Sequence, residues 1–310
     1  MNIRKSAIAM ATGLVLGVVS AASSAAVMKF EDNDLDFLLR GDLTAPVTTD
    51  TTFQVGDILV SVFEIDVHTI DSVNAIPAGQ ELTGVAAIQI TSIVGSGAGS
   101  MINFGAVDGG GLDGILSANL INLGMPLGAG AAVAMFLNDN TGANNLQIGI
   151  ADGTPQGNPS CTSLADCLTE VTMGEKYQVD GFLGDSDEFW KATILADGGA
   201  NPATVLGLSN STLVAGFNAA LSNMFQKGHT IGGTDLLTGL PCDLAASGCA
   251  GATFSGTITG GGGIPAGHGA FAHSDFDGTK NTIPEPATLL LLASGLLGIG
   301  ASRWTKKSKV

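Results

Sequence analysis

Apolar residues in the middle of this chain recur mainly at every second position, the spacing of half-buried β-strands. In residues 54–68, Leu59, Phe63, Ile65 and Val67 share one face. Ile58, Val60 and Val62 make the other face apolar too, so the first half of this strand is expected to be buried on both sides. Residues 82–94 read as its partner, with Ile88, Ile90 and Val94 alternating against Gln89, Thr91 and Ile93. Further strands are predicted at 102–107, 177–183, 189–195 and 254–259, and a hairpin joining 133–137 to 146–150 around Asn138-Asp139-Asn140-Thr141-Gly142. Residues 212–225 fit both periods and are assigned to a strand.

Helical spacing is rarer. Ile115, Leu116, Asn119, Leu120 and Leu123 predict a helix over 115–123 with Asp113 as its cap, and 162–170 suits one or two helical turns. The acidic stretch 30–42, with Leu35, Phe37, Leu38 and Leu39, reads as an opening segment that packs onto the core. Gly260 to Gly263 begin a flexible, polar approach to the C-terminus. The pattern as a whole predicts a mainly β, sandwich-like domain with one or two short helices.

Both ends depart from this pattern. Arg4 and Lys5 precede an uncharged run over residues 7–19, and Ser24-Ala25-Ala26 supplies the small residues of a cleavage site, so 1–26 reads as a secretory signal peptide. At the other end, Pro284-Glu285-Pro286 blocks any helix from upstream. The uncharged span 287–304 follows, about 27 Å long as a helix and thus near the thickness of a bilayer core. Arg303, Lys306, Lys307 and Lys309 close the chain with no acid among them, which places this end in the cytoplasm and the bulk of the chain outside. The resulting division is 1–26, an exported domain over 27–282, and 283–310.

The order Pro-Glu-Pro, leucine-rich span with glycines near its end, and basic tail resembles the PEP-CTERM sorting signal of exported bacterial proteins. One departure is the tail itself, in which a single arginine is followed by Trp304 where the family often has an arginine cluster. The resemblance implies an exosortase, a membrane-embedded cysteine transpeptidase-like protease, as the partner that removes the helix and tail. It also implies transient anchoring at the inner membrane and a final place at the cell surface or outside the cell. Family members are often surface or matrix proteins of bacteria that make extracellular polysaccharide.

Charge sharpens the picture. Between the two end segments only Lys29, Arg40, Lys176, Lys191, Lys227 and Lys280 face 27 acids, a formal charge of −21. Such a surface repels nucleic acid and anionic membrane, keeps the domain soluble and attracts divalent cations. Glycine, at 45 of 310 residues, marks a turn-rich fold. Cys161, Cys167, Cys242 and Cys249 all lie in the exported part, where an even count argues for disulfides, and the short-range pairs 161–167 and 242–249 are favoured. Spacings of six and seven with no flanking histidine do not suit structural zinc.

Catalytic signatures are scarce: the chain has no G-x-S-x-G elbow, H-E-x-x-H, P-loop or dinucleotide fingerprint, and no catalytic residue is assigned. His268, His273, Asp275 and Asp277 gather nitrogen and oxygen ligands in one stretch, either a divalent-metal set or a hydrated stalk. Asp275 to Gly278 and Asp108 to Gly114 put carboxylates beside glycines, as calcium loops or as ordinary acidic turns. Asp185, Asp187 and Glu188 form an acidic knot of the kind that serves glycoside hydrolysis when two carboxyls are suitably spaced. Tyr177 and Trp190 are expected as core or interface anchors. The expectation is therefore a surface or matrix structural or adhesive protein that is not an enzyme and needs no cofactor. The alternatives are a carbohydrate- or divalent-cation-binding module and, third, a secreted glycosidase-like enzyme.

Overall fold

A computed structural model describes residues 27–48, 53–70, 73–74, 76–96, 98–139, 150–151, 154–155, 161–184, 188–196, 213–226, 230–231, 234–235, 251–261, 270 and 272–282. Residues Ala26–Asn281 form one compact unit. Its strands are β1 (Val27–Leu39), β2 (Ile58–Ile70), β3 (Val73–Asn74), β4 (Gln80–Val94), β5 (Met101–Gly105), β6 (Ala131–Asp139), β7 (Ile150–Ala151), β8 (Thr154–Pro155) and β9 (Glu175–Gly181). The remainder are β10 (Phe189–Ala196), β11 (Leu213–Gln226), β12 (Thr230–Ile231), β13 (Thr234–Asp235), β14 (Gly251–Gly261) and β15 (Ala272–Thr282). Two short helices accompany them, α1 (Gly111–Ala118) and α2 (Leu164–Val171). The mainly β, sandwich-like expectation with few helices fits this architecture.

Eleven strands make one sheet, and its pairing closes on itself. β4 bonds to β2 along one edge; along the other it bonds first to β6, over 80–86, and then to β5, over 89–94. β11 divides one edge in the same way between β10 and β9 and gives the other to β14. The circuit therefore runs β4, β2, β1, β15, β14, β11, returning to β4 through β9 and β6 at one end and through β10 and β5 at the other.

Alternation then sorts the side chains. Phe30, Phe63, Ile65, Leu82, Ile90, Ile102, Phe104, Met135, Ile194 and Phe217, from β1, β2, β4, β5, β6, β10 and β11, form one buried cluster, so this face is the interior. Leu35, Phe37, Ile58, Val60, Val62 and Val85 point the opposite way into a second cluster, roofed by Leu112, Ile115 and Leu116 of α1 and by Leu164, Leu168 and Val171 of α2. The strand predicted to be buried on both sides is buried on both, as β2.

The acidic opening segment packs onto the core as expected, with Leu35, Phe37, Leu38 and Leu39 buried, and it does so as β1, a strand paired on both edges by β2 and β15. Three expectations need correction. The polar approach to the C-terminus is in part β15, where the partner strand β1 supplies the order that its own sequence does not advertise. The predicted 133–137 hairpin does not form, because both edges of β6 are taken by β4 and β9, while Ile150 pairs with Pro155 in a separate ribbon. Helix α1 starts earlier than predicted, with Gly110 at its N-cap, and Asp113 lies inside its first turn. The Asp113 carboxylate instead accepts the backbone N–H groups of Leu127 and Gly128, each at 2.9 Å, tying the helix to the chain that leads into β6.

Two polar clips hold the ends of elements. The Arg40 guanidinium donates a two-pronged pair of bonds to Asp57, at 2.7 and 2.8 Å, and the Gln54 N–H also donates to that carboxylate. This fixes the end of β1 against the turn into β2 in a geometry suited to a fork-shaped donor. The Ser163 hydroxyl caps α2 by accepting from the Asp166 N–H, and the predicted Cys161–Cys167 disulfide closes the chain around that cap.

Close approach of β2, β4 and β6 leaves no room at Gly84, which lies directly opposite Phe63. A methyl group there meets the Phe63 ring and lies 2.7 Å from the Ala134 carbonyl oxygen. Gly84→Ala is expected to lower stability by about 1–3 kcal/mol, the usual cost of overpacking, read as a shift in the denaturant midpoint at unchanged slope.

Candidate functional site

The interior carries a polar seam. Gln178 and Asp180 pair with Met135 and Val133, and Lys280 pairs with Met28, all residues of the interior cluster, so the three polar side chains face inward. The Lys280 ammonium donates to both oxygens of Asp180, at 2.8 and 3.0 Å, and both side chains are 0% exposed. The Gln178 amide also donates to Asp180. Burial pushes the Lys280 amine below its ordinary value, with the charge of Asp180 acting against that fall.

A second buried pair lies on the same face. His68 stacks on Phe30, directly opposite it on β1, with ring centroids 4.6 Å apart, and shares a 3.0 Å hydrogen bond between Nε2 and the Tyr177 hydroxyl. Tyr177 is thus the core anchor expected of it. Trp190 is half-buried against Phe217.

On the outer surface, a cavity of about 710 Å³ opens between the segment after α1 and the end of α2, with Phe136 and Lys176 among its lining. Leu120, in the left-handed region at φ 63 and 91% exposed, sits on its rim with Met125 and Met173. A leucine held in that conformation is uncommon.

The residues singled out from the sequence are scattered. Pro284, Glu285, Pro286, Arg303, Lys306, Lys307 and Lys309 lie outside the described residues, as do residues 1–26, the apolar span 287–304, the Cys242–Cys249 pair, His268, Asp185 and Asp187. His273, Asp275 and Asp277 occupy alternate positions of β15, opposite Leu35, Asn33 and Glu31, which corrects their reading as part of a stalk. Among the described residues, no three His, Cys, Asp or Glu side chains gather as a metal site. Glu188 ties a loop to a strand, accepting from the Leu183 and Gly184 N–H groups and from the Ser222 hydroxyl at 2.7 Å. No described helix is long and apolar enough to cross a membrane.

Sequence reasoning missed the seam. Its one local trace is the alternation of Gln178 and Asp180 in an otherwise buried strand. Lys280, a hundred residues away, gives no sign of its partner. Removing one member of a buried ion pair strands the other, at a cost of about 3–5 kcal/mol, whereas replacing both with apolar groups is far milder. Lys280→Ala is accordingly expected to destabilise the unit by about that amount, and Lys280→Met with Asp180→Leu to recover most of the loss, as read from denaturant unfolding.

Directly after this last strand comes the stretch with a recognisable relative. Residues 282–303 match the family model described as the PEP-CTERM protein-sorting motif. No curated protein and no solved structure matches the chain. A motif of this kind implies an exported protein, transiently anchored in the membrane and processed by an exosortase. The chain therefore carries a PEP-CTERM sorting motif at its C-terminal end, over residues 282–303.

Proposed function

We propose that this protein is a structural or adhesive component of the cell surface or of an extracellular polysaccharide matrix, acting without catalysis or a resident cofactor. A signal peptide removed after Ala26 takes it across the inner membrane, and exosortase then cuts at Pro284-Glu285-Pro286 and frees the domain from its span, 287–304. The observation that carries this reading is the sorting motif at 282–303. Two features support the structural part. Continuous pairing around the sheet leaves few open edges for unwanted strand addition, and the charge of −21 favours solubility outside the cell.

A second reading, a surface module that binds a ligand, rests on the cavity beside Leu120, whose volume of about 710 Å³ is in the range of small-molecule sites. Oligosaccharides of the host matrix and calcium are the ligands to try by thermal shift. A shift abolished by Met173→Glu would favour this reading over a purely structural one.

Intact mass of the protein from its native host tests the main proposal. The wild-type product is expected to end near residue 286, whereas a Pro284→Ala, Glu285→Ala, Pro286→Ala variant keeps its tail and stays in the membrane fraction. Retention of residues through Val310 in both proteins would make the segment an ordinary anchor.

A further inference from the structure

We propose that Lys280 and Asp180 are joined covalently, by an isopeptide bond between the lysine Nζ and the aspartate Cγ. The geometry is that of two reactants held together. Nζ lies 2.8 and 3.0 Å from the two carboxyl oxygens, which places the carboxyl carbon between them within reach of the nitrogen. Both side chains are fully enclosed in the apolar interior, and neither can exchange its partner for water. Confinement of this kind replaces a bimolecular encounter by an intramolecular one, worth many orders of magnitude in effective concentration.

The surroundings favour each chemical step. Attack requires the neutral amine, and burial in an apolar interior disfavours the charged form of the lysine. The fall in the basicity of Lys280 has this cause. The proton it gives up passes to the carboxyl oxygen it already touches at 2.8 Å, leaving amine and acid side by side. The nitrogen lone pair then adds to Cγ and forms the C–N bond, and negative charge develops on a carboxyl oxygen. The Gln178 amide N–H already donates to Asp180 and is placed to stabilise that charge. A second proton leaves the nitrogen for the departing hydroxyl, the C–O bond breaks, and one water is released. Amine and acid thus give amide and water, with no change in oxidation state and no further reactant.

Position gives the bond a purpose. In the sheet, β9 and β15 are separated by β11 and β14, so the link spans strands that share no ladder. β15 is also the strand that runs into the sorting motif at residue 282. Tension applied at the C-terminal end of the domain meets β15 first, and a covalent tie to β9 passes that load to the opposite part of the circuit without unzipping a ladder. The inference does not depend on which surface role the protein plays.

The test uses the full chain, exported and purified from producing cells, reduced, denatured and digested with trypsin. The peptide containing Asp180 and the peptide containing Lys280 are expected as one linked species whose mass is their sum less one water, with no cleavage after Lys280. Lys280→Arg, which keeps the charge but lacks a nucleophilic amine, is expected to lose the linked species. Recovery of the two wild-type peptides separately, with cleavage after Lys280, would overturn the proposal and leave a non-covalent ion pair. The wild-type digest decides the matter even if the variant does not fold.

Discussion

Closure of the hydrogen-bonded circuit is the constraint on which the rest of this structure depends. It requires two strands long enough to serve two neighbours in succession on one edge, and β4, with 15 residues, and β11, with 14, meet that need. Where each changes partner or nears the change, the register slips, at Ile90/Ser92 for β4 with β5 and at Asn223/Phe225 for β11 with β9. Such irregularities bend a strand and increase its twist, which lets a sheet turn back on itself. Closure also creates the interior, because every second residue around the circuit then points at the same enclosed space.

That interior is mainly apolar, and its buried polar side chains include Asp180, which accepts from both Lys280 and Gln178, His68, which bonds to Tyr177, and Asp34, opposite Phe63. A charge enclosed there is tolerable only with its partner in place. Satisfying the seam therefore ties together β9 and β15, two strands that meet nowhere in the ladder. The second apolar layer is local by comparison. α1 and α2 cover the outer face of β2, β4 and β6, and the fastenings are short polar bonds: Asp113 to Leu127 and Gly128, Asn119 to the Leu43 carbonyl, and Thr83 to the Val171 carbonyl.

Charge and location fit together. Of the six cations between the two end segments, Arg40 and Lys280 are bound to acids of the same domain, so few remain to offset the acidic exterior. An acidic, disulfide-bearing, edge-poor β domain is physically suited to the outside of a cell, where thiols oxidise and open strand edges invite association. The sorting motif belongs to the same setting.

Much of this was legible from local chemistry. Period-two alternation identified β2 and β4, strand-like composition pointed to β10, 212–225 fitted both periods and proved to be the strand β11, 162–170 was expected to hold one or two helical turns, and the nearness of Cys161 to Cys167 favoured their pairing. The sorting motif was legible too, because such a signal is read as a linear segment by other proteins. The acidic β1 and polar β15 were not legible, since each is a strand chiefly because neighbours from distant parts of the chain bond to it. The same holds for the loss of the 133–137 hairpin and for the Asp180–Lys280 seam. Local sequence sets what a few adjacent residues prefer; only closure of the circuit decides which distant edges meet and which charges lose their water, because those energies arise from contacts between segments that the sequence holds far apart.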